Sequence, residues 1–328
     1  MKKSIFSLLV YSTLILTATG CYQDIDLDRY KGQNGEHLLT INSIVNPDST
    51  VAAAATRTYF FSDIHNERNY VGDLDIRLLI NGTERETLEF DSKSKLYRST
   101  VKPRSNDIVE LRTAFGDSIV SCSDIVPEAV RIESVKVSRK GPLAIYSDRD
   151  YIFTYDITFT DPVGKDNYYF LHYDADDWHT DFRIGEKDYT YEYVFQRLAN
   201  LINSNIPGWV PYSPYGLPFT DQGIEGKTHT LTVRETIQGG RAFDLTKVSR
   251  MNRRFKLFSI SEDYYRYLLS VLYNDADFDG LHGGMIDLGI TEPMKYFSNI
   301  HGGIGIFAAY SLDDAVVDVI DAVGRFPK

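Results

Sequence analysis

From Leu38 onward, apolar and polar residues alternate in short runs closed by turn-forming residues, the period-two pattern of half-buried strands. Leu39-Thr-Ile-Asn-Ser-Ile-Val45 stops at Asn46-Pro47-Asp48-Ser49. Asp75-Ile-Arg-Leu-Leu-Ile80 stops at Asn81-Gly82, a pair that favours a tight hairpin. Residues 109–115 and 118–125 read as two further strands closed by Pro127, so residues 37–127 are expected to form a β-sandwich domain. After a linker at 126–131 the alternation restarts. Tyr151, Phe153, Tyr155, Ile157 and Phe159 share one strand face, and Thr154, Asp156, Thr158 and Thr160 the other. Asp161-Pro162-Val163-Gly164 turns the chain, and residues 167–173 are expected to return as the hairpin partner, with more strands at 230–236 and 254–260. One helix is predicted over 261–274: Ser261 as N-cap, Glu262 and Asp263 in the first turn, then Tyr265, Leu268, Leu269 and Leu272 at helical spacing. The fold class is therefore mainly β, with two β-sandwich-like domains. The second, residues 128–328, carries the packed helix and a long aromatic-rich insertion at 174–227.

In that insertion the alternation dissolves into aromatic and proline-rich sequence. Trp and Tyr rings offer flat apolar faces with a polar tip, so Trp178, Tyr191, Tyr193, Trp209, Tyr212 and Tyr215 form the candidate ligand-binding face. The alternative is that these rings fill the gap between sheets, as aromatic side chains often do.

The first residues follow another logic. Lys2 and Lys3 precede an apolar run from Ile5 to Leu16, and Thr17-Ala18-Thr19-Gly20 leads to Cys21, the three parts of an export signal over residues 1–20. The run is about 12 residues, against the roughly 20 that cross a bilayer as a helix. The ending resembles the lipobox of bacterial lipoproteins, although Ala18 stands where the usual pattern has Leu. That resemblance implies lipidation of Cys21 as the mature N-terminus and anchoring to a membrane outside the cytoplasm. Residues 21–36 then form a polar tether. Its Asp24, Asp26 and Asp28 resemble an acidic signal for export to the outer face of the outer membrane, or serve as a solvated linker.

Loss of Lys2 and Lys3 takes the formal net charge from −11 to −13, a surface that repels polyphosphate, and no nucleic-acid partner is expected. With Cys21 carrying lipid, Cys122 is left alone, without a disulfide partner, and reads as a small buried hydrophobe. Asp275, Asp277 and Asp279 before Gly280 match the opening of a calcium loop, but Ile286 occupies the twelfth position, where a bidentate Glu belongs. Calcium is the one cofactor suggested, and a solvated acidic loop the alternative. No Gly-x-Ser-x-Gly, His-Glu-x-x-His or dinucleotide motif occurs, so no enzyme is expected. A glycosidase-type carboxylate pair leaves no local trace, and a glycan-active hydrolase stays as an alternative.

The most distinctive stretch is Glu292-Pro293-Met-Lys-Tyr-Phe-Ser298-Asn299-Ile300-His-Gly302-Gly303-Ile-Gly305-Ile-Phe307. It resembles the closing motif of the Bacteroidota lipoproteins called domain of unknown function 4249. The cysteine with its Asp-rich tether, Phe159-Thr-Asp161-Pro162 with Asn167-Tyr168-Tyr169, and Ile260-Ser-Glu-Asp-Tyr264-Tyr265 resemble the family as well; the stretch 275–291 is longer than its pattern. The resemblance implies an outer-membrane, surface-exposed lipoprotein encoded beside a TonB-dependent receptor, acting as accessory or ligand-capturing subunit of uptake. A structural or partner-docking module without a small ligand is the alternative. The closing glycines themselves read as structural, because no Lys-Ser/Thr and no helix start follows them as a phosphate loop requires.

Overall fold

The computed structural model describes residues 38–59, 70–143, 150–175, 184–188, 192–195, 216–237, 250–274 and 295–325. Before the linker lie β1 (Leu39–Val45), β2 (Ala52–Arg57), β3 (Arg77–Ile80), β4 (Thr83–Thr87), β5 (Glu89–Asp91), β6 (Leu96–Arg98), β7 (Ile108–Phe115) and β8 (Ser118–Ile125). After it come β9 (Ile132–Leu143), β10 (Asp150–Thr160), β11 (Tyr168–Ala175), β12 (Ile184–Asp188), β13 (Leu217–Thr220), β14 (Thr228–Ile237) and β15 (Asn252–Ile260). Helix α1 (Glu262–Asn274), β16 (Ile304–Asp318) and the short α2 (Val319–Val323) complete the order. The chain is mainly β, as its alternation predicts. An eight-stranded sheet runs β13-β11-β15-β16-β1-β2-β6-β5, and two four-stranded sheets run β12-β14-β10-β9 and β4-β3-β7-β8.

Local chemistry places these elements. Asn81 and Gly82 both adopt positive φ, 52° and 75°, so β3 and β4 close through the primed turn that their sequence favours. Ser261 Oγ accepts the Tyr264 amide at 3.2 Å and caps α1 where predicted. Cys122 is buried within the first core, and burial pushes its thiol up to about 12.

Two hydrophobic cores form on either side of the linker. One gathers residues of β1–β8 such as Leu39, Tyr97 and Leu111, together with Ile300, Phe307 and Ala309 from the chain's end. The other runs from Val130 to Ile320 and contains Phe153, Tyr155, Phe159, Tyr169, Phe219 and Phe255. Residues after 128 thus enter both cores, and the backbone ladders run across that position as well. β16 pairs in parallel with β1, Thr40↔Ile304 through Val45↔Ala309, and farther along pairs antiparallel with β15, Ile260↔Tyr310 through Asn252↔Asp318. The closing glycines make this stitch possible. A Cβ on Gly305, whose φ is +117°, would stand 2.1 Å from the Ile41 carbonyl oxygen, and one on Gly302 2.3 Å from that of Ile119. Asn299 fixes the approach, accepting the Phe307 amide at 2.9 Å and donating to the Phe307 carbonyl at 2.7 Å and to Asp263 at 2.8 Å.

One pairing differs from expectation. β10 pairs with β14 and β9, whereas β11 pairs with β15 and β13, so residues 161–167 carry the chain from one sheet to the facing one. Phe159 and Tyr169 consequently meet across the core, ring centroids 5.4 Å apart. Alternation fixes which residues are buried and is the same for a hairpin or an arch. Here the buried Asp161 selects the arch by accepting from the Tyr169 hydroxyl at 2.5 Å and the Gly226 amide at 2.8 Å. The insertion is also less irregular than its sequence reads. It contributes β12 and β13 as edge strands and buries Phe195 and Phe219; Pro218 fits β13 because an edge strand can spare an amide.

A buried ion pair ties the facing sheets of the second core together. Arg253 on β15 donates to both oxygens of Glu235 on β14, each at 3.0 Å, and the Tyr155 hydroxyl adds a bond of 2.6 Å to Glu235 Oε2. Both charged side chains are wholly removed from solvent.

A second polar contact links β8 to the helix. The Ser261 hydroxyl donates to Asp124, while Ser261 Oγ also accepts the Ala309 amide at 3.3 Å. Burial pushes the Asp124 carboxyl up to about 7 from an ordinary 3.8; the bonds from Ser261 and the Ile125 and Ala309 amides oppose the rise, and the charge of Asp263 adds to it. A raised folded pKa means that the folded state holds the proton after the unfolded chain has released it. Stability should fall as pH rises from about 4 to about 7 and level off above, by at most roughly 4 kcal/mol. Urea denaturation of wild type and Asp124→Asn across that range checks this; an equal pH slope in both proteins would refute the assignment.

Candidate functional site

A half-buried row of aromatic side chains crosses the outer face of the large sheet, where Tyr168, one same-face step from Phe170, meets Tyr265 of α1 at 5.1 Å. Strand register sets it out: Phe170 on β11 lies opposite Phe258 on β15, which lies opposite Leu312 on β16, and Tyr310 follows one same-face step along β16. The Phe170 and Phe258 rings meet edge to face at 5.7 Å, and Phe258 and Tyr310 at 5.3 Å; all are half-buried. Asn46 donates to the Tyr310 hydroxyl at 3.2 Å. Ile44 on β1 and Val316 on β16 extend the face with exposed aliphatic side chains.

The next rung is polar. His172 lies opposite Lys256, and both bind Asp174: the imidazole Nε2 at 2.5 Å from Oδ1, the ammonium at 2.6 Å from Oδ2. Burial works against charge on Asp174, but the Lys256 and His172 interactions outweigh it and hold the carboxyl below its ordinary range. Arg254 pairs with Asp314 at 3.4 Å on the same face. The arrangement is an apolar shelf beside fixed donors and acceptors, suited to orienting a bound molecule.

Of the candidate ligand-binding residues singled out from sequence, Tyr193 lies among the described residues. Tyr193 is exposed beside β14, its ring edge-on to His229 at 5.7 Å; Glu192 accepts the Thr232 amide at 2.6 Å and lies 3.3 Å from His229 Nε2. Cys21, Trp178, Tyr191, Trp209, Tyr212 and Tyr215 lie outside the described residues, as do Asp275, Asp277 and Asp279. The aromatic row carried a sequence signal that alternation alone passes over. Tyr168-Tyr-Phe-Leu-His-Tyr173 and Phe255-Lys-Leu-Phe258 place rings on both strand faces, where a merely solvated outer face would be polar.

A concavity of about 310 Å³ lies on the sheet of β3, β4, β7 and β8, with Arg77, Arg112, Leu79 and Ile119 in its lining. Its charges are largely satisfied within the protein, Arg77 by Asp75 and Glu84, at 3.5 and 3.7 Å, and Arg112 by Glu110. Among the described residues no three His, Cys, Asp or Glu side chains converge as a metal site, and no helix is long and apolar enough to cross a membrane.

No curated protein matches the chain. A solved structure from Corynebacterium diphtheriae, of a protein described as membrane-anchored, aligns at 10% identity over 68% of this chain with a TM-score of 0.20. The chain covers 54% of that protein, and so distant a likeness carries no argument. Residues 23–314 match the domain of unknown function (DUF4249), where the arch at Asp161, the capped helix at Ser261 and the glycine stitch at 302–305 all fall, and the chain belongs to that family.

Proposed function

We propose that this protein is a surface-exposed lipoprotein of the outer membrane, held by lipid on Cys21, that captures ligand as an accessory subunit of a TonB-dependent uptake system. The observation that carries the reading is the half-buried row of Phe170, Phe258 and Tyr310 beside the Asp174 network. Solvated sheet faces ordinarily carry polar side chains, and ordered rings with pinned polar neighbours favour a surface built for contact. The export signal, Cys21 and the acidic tether support the location, and the binding role involves no turnover.

The exposed Ile44 and Val316 at the margins of the face favour a second reading, a docking module for a receptor with no small ligand. Affinity capture of the tagged, lipidated protein from native outer membranes, followed by mass spectrometry, tests the shared part of both. A TonB-dependent receptor should be recovered in stable association. Recovery of the protein alone would overturn the accessory-subunit role.

A further inference from the structure

We propose that the outer face of β11, β15 and β16 binds a neutral oligosaccharide, with sugar rings on Phe170 and Phe258 and their hydroxyls on Lys256, Asp174 and His172; this rests on the capture reading above. The charge inventory of the face sets the ligand's charge. Lys256 has Asp174, which also binds the His172 imidazole, and Arg254 has Asp314, so the lysine and the arginine each already meet a carboxylate on the same face. The chain as a whole carries −11, which disfavours an anionic ligand. The face therefore offers hydrogen-bonding capacity without a net field, the chemistry of an uncharged polyol.

The layout selects a molecule with one apolar side and a polar rim. Same-face rungs on a strand are about 6.8 Å apart and neighbouring strands about 4.8 Å apart, so a ring resting on Phe258 lies within reach of Lys256 and Asp174. A pyranose presents C–H groups on its face and hydroxyls around its edge, matching an aromatic shelf bordered by donors and acceptors. Asp174 and Lys256 are held in place by each other while 38% and 27% of their side chains stay exposed, so their remaining lone pairs and N–H groups are pre-oriented for a ligand. A flat aromatic ligand would use the rings and leave this polar rung idle.

The test is calorimetric titration of the full chain with xylohexaose, mannohexaose, maltoheptaose and cellohexaose, alongside hexagalacturonate and indole-3-acetate. At least one neutral oligosaccharide should bind, and Phe258→Ala should weaken it about tenfold or more. Lys256→Met and Asp174→Asn, which leave the rings in place, should weaken it as well, whereas Tyr193→Ala, beside β14, should not. No binding across the neutral panel overturns the sugar assignment, as does binding confined to the acidic sugar or the indole, or neutral binding that Lys256→Met and Asp174→Asn leave unchanged. Receptor capture from membranes is read separately, so loss of the sugar result with a receptor still recovered removes the ligand class and not the uptake role.

Discussion

Arg253→Met should lower stability by about 3–5 kcal/mol, a large fraction of the roughly 5–15 kcal/mol that holds a typical domain folded. The reason is the partner left behind. Glu235 has no solvent contact, and its carboxylate would lose both guanidinium bonds and keep only the Tyr155 hydroxyl. Losing one half of a buried pair costs far more than losing both, because the remaining charge has neither water nor counter-ion. The triple change Arg253→Met, Glu235→Leu, Tyr155→Phe should accordingly regain most of the loss. Urea denaturation midpoints of the three proteins decide this; a single variant as stable as wild type would show that the pair does not hold the facing sheets together.

Gly305→Ala should be the most damaging single change in the closing segment, costing roughly 3 kcal/mol or more. Its φ of +117° lies in a region that residues with a Cβ rarely adopt, and that atom would run into the Ile41 carbonyl on the paired strand. Relief requires moving β1 away from β16, which breaks a parallel ladder and opens the first core at Phe307. Gly82→Ala is the control. Its φ is also positive, at +75°, but nothing lies within 4 Å of the added carbon, so the cost should stay near 1 kcal/mol. Equal thermal midpoints for the two variants would argue against the close approach as the cause.

Sequence patterning reached the elements more fully than their partners. β1 and β8 fall on the predicted residues, and α1 starts one residue after its predicted cap, because each is marked by local chemistry: alternation, turn residues, a capping serine. β2 was invisible because Ala52-Ala-Ala-Ala-Thr-Arg57 is mostly alanine, with Thr56 its single residue of the branched and aromatic kinds that mark strands. The pairing of β10 and β11 with different sheets was illegible for another reason. Burial alternates identically in a hairpin and an arch, and the deciding contacts of Asp161 and Gly226 lie 65 residues apart. The candidate site shows the same limit. Phe170, Phe258 and Tyr310 are dispersed over 141 positions and meet only through strand register. The Asp174 network was equally hidden, since its Lys256 partner is 82 residues away.

The parallel pairing of β1 with β16 also bears on the order of events in the cell. Synthesis starts at the N-terminus, and an autonomous first domain would fold while the rest was still being made. Here the first core lacks Ile300, Phe307 and Ala309, and the ladder on one side of β1, until almost the whole chain exists. Closing a contact across 264 residues is entropically slow even then. A nascent chain in this condition cannot close its first core until its last strand has been made, and that strand acts as the latch that commits the core to the folded state; the delay suits the export proposed above.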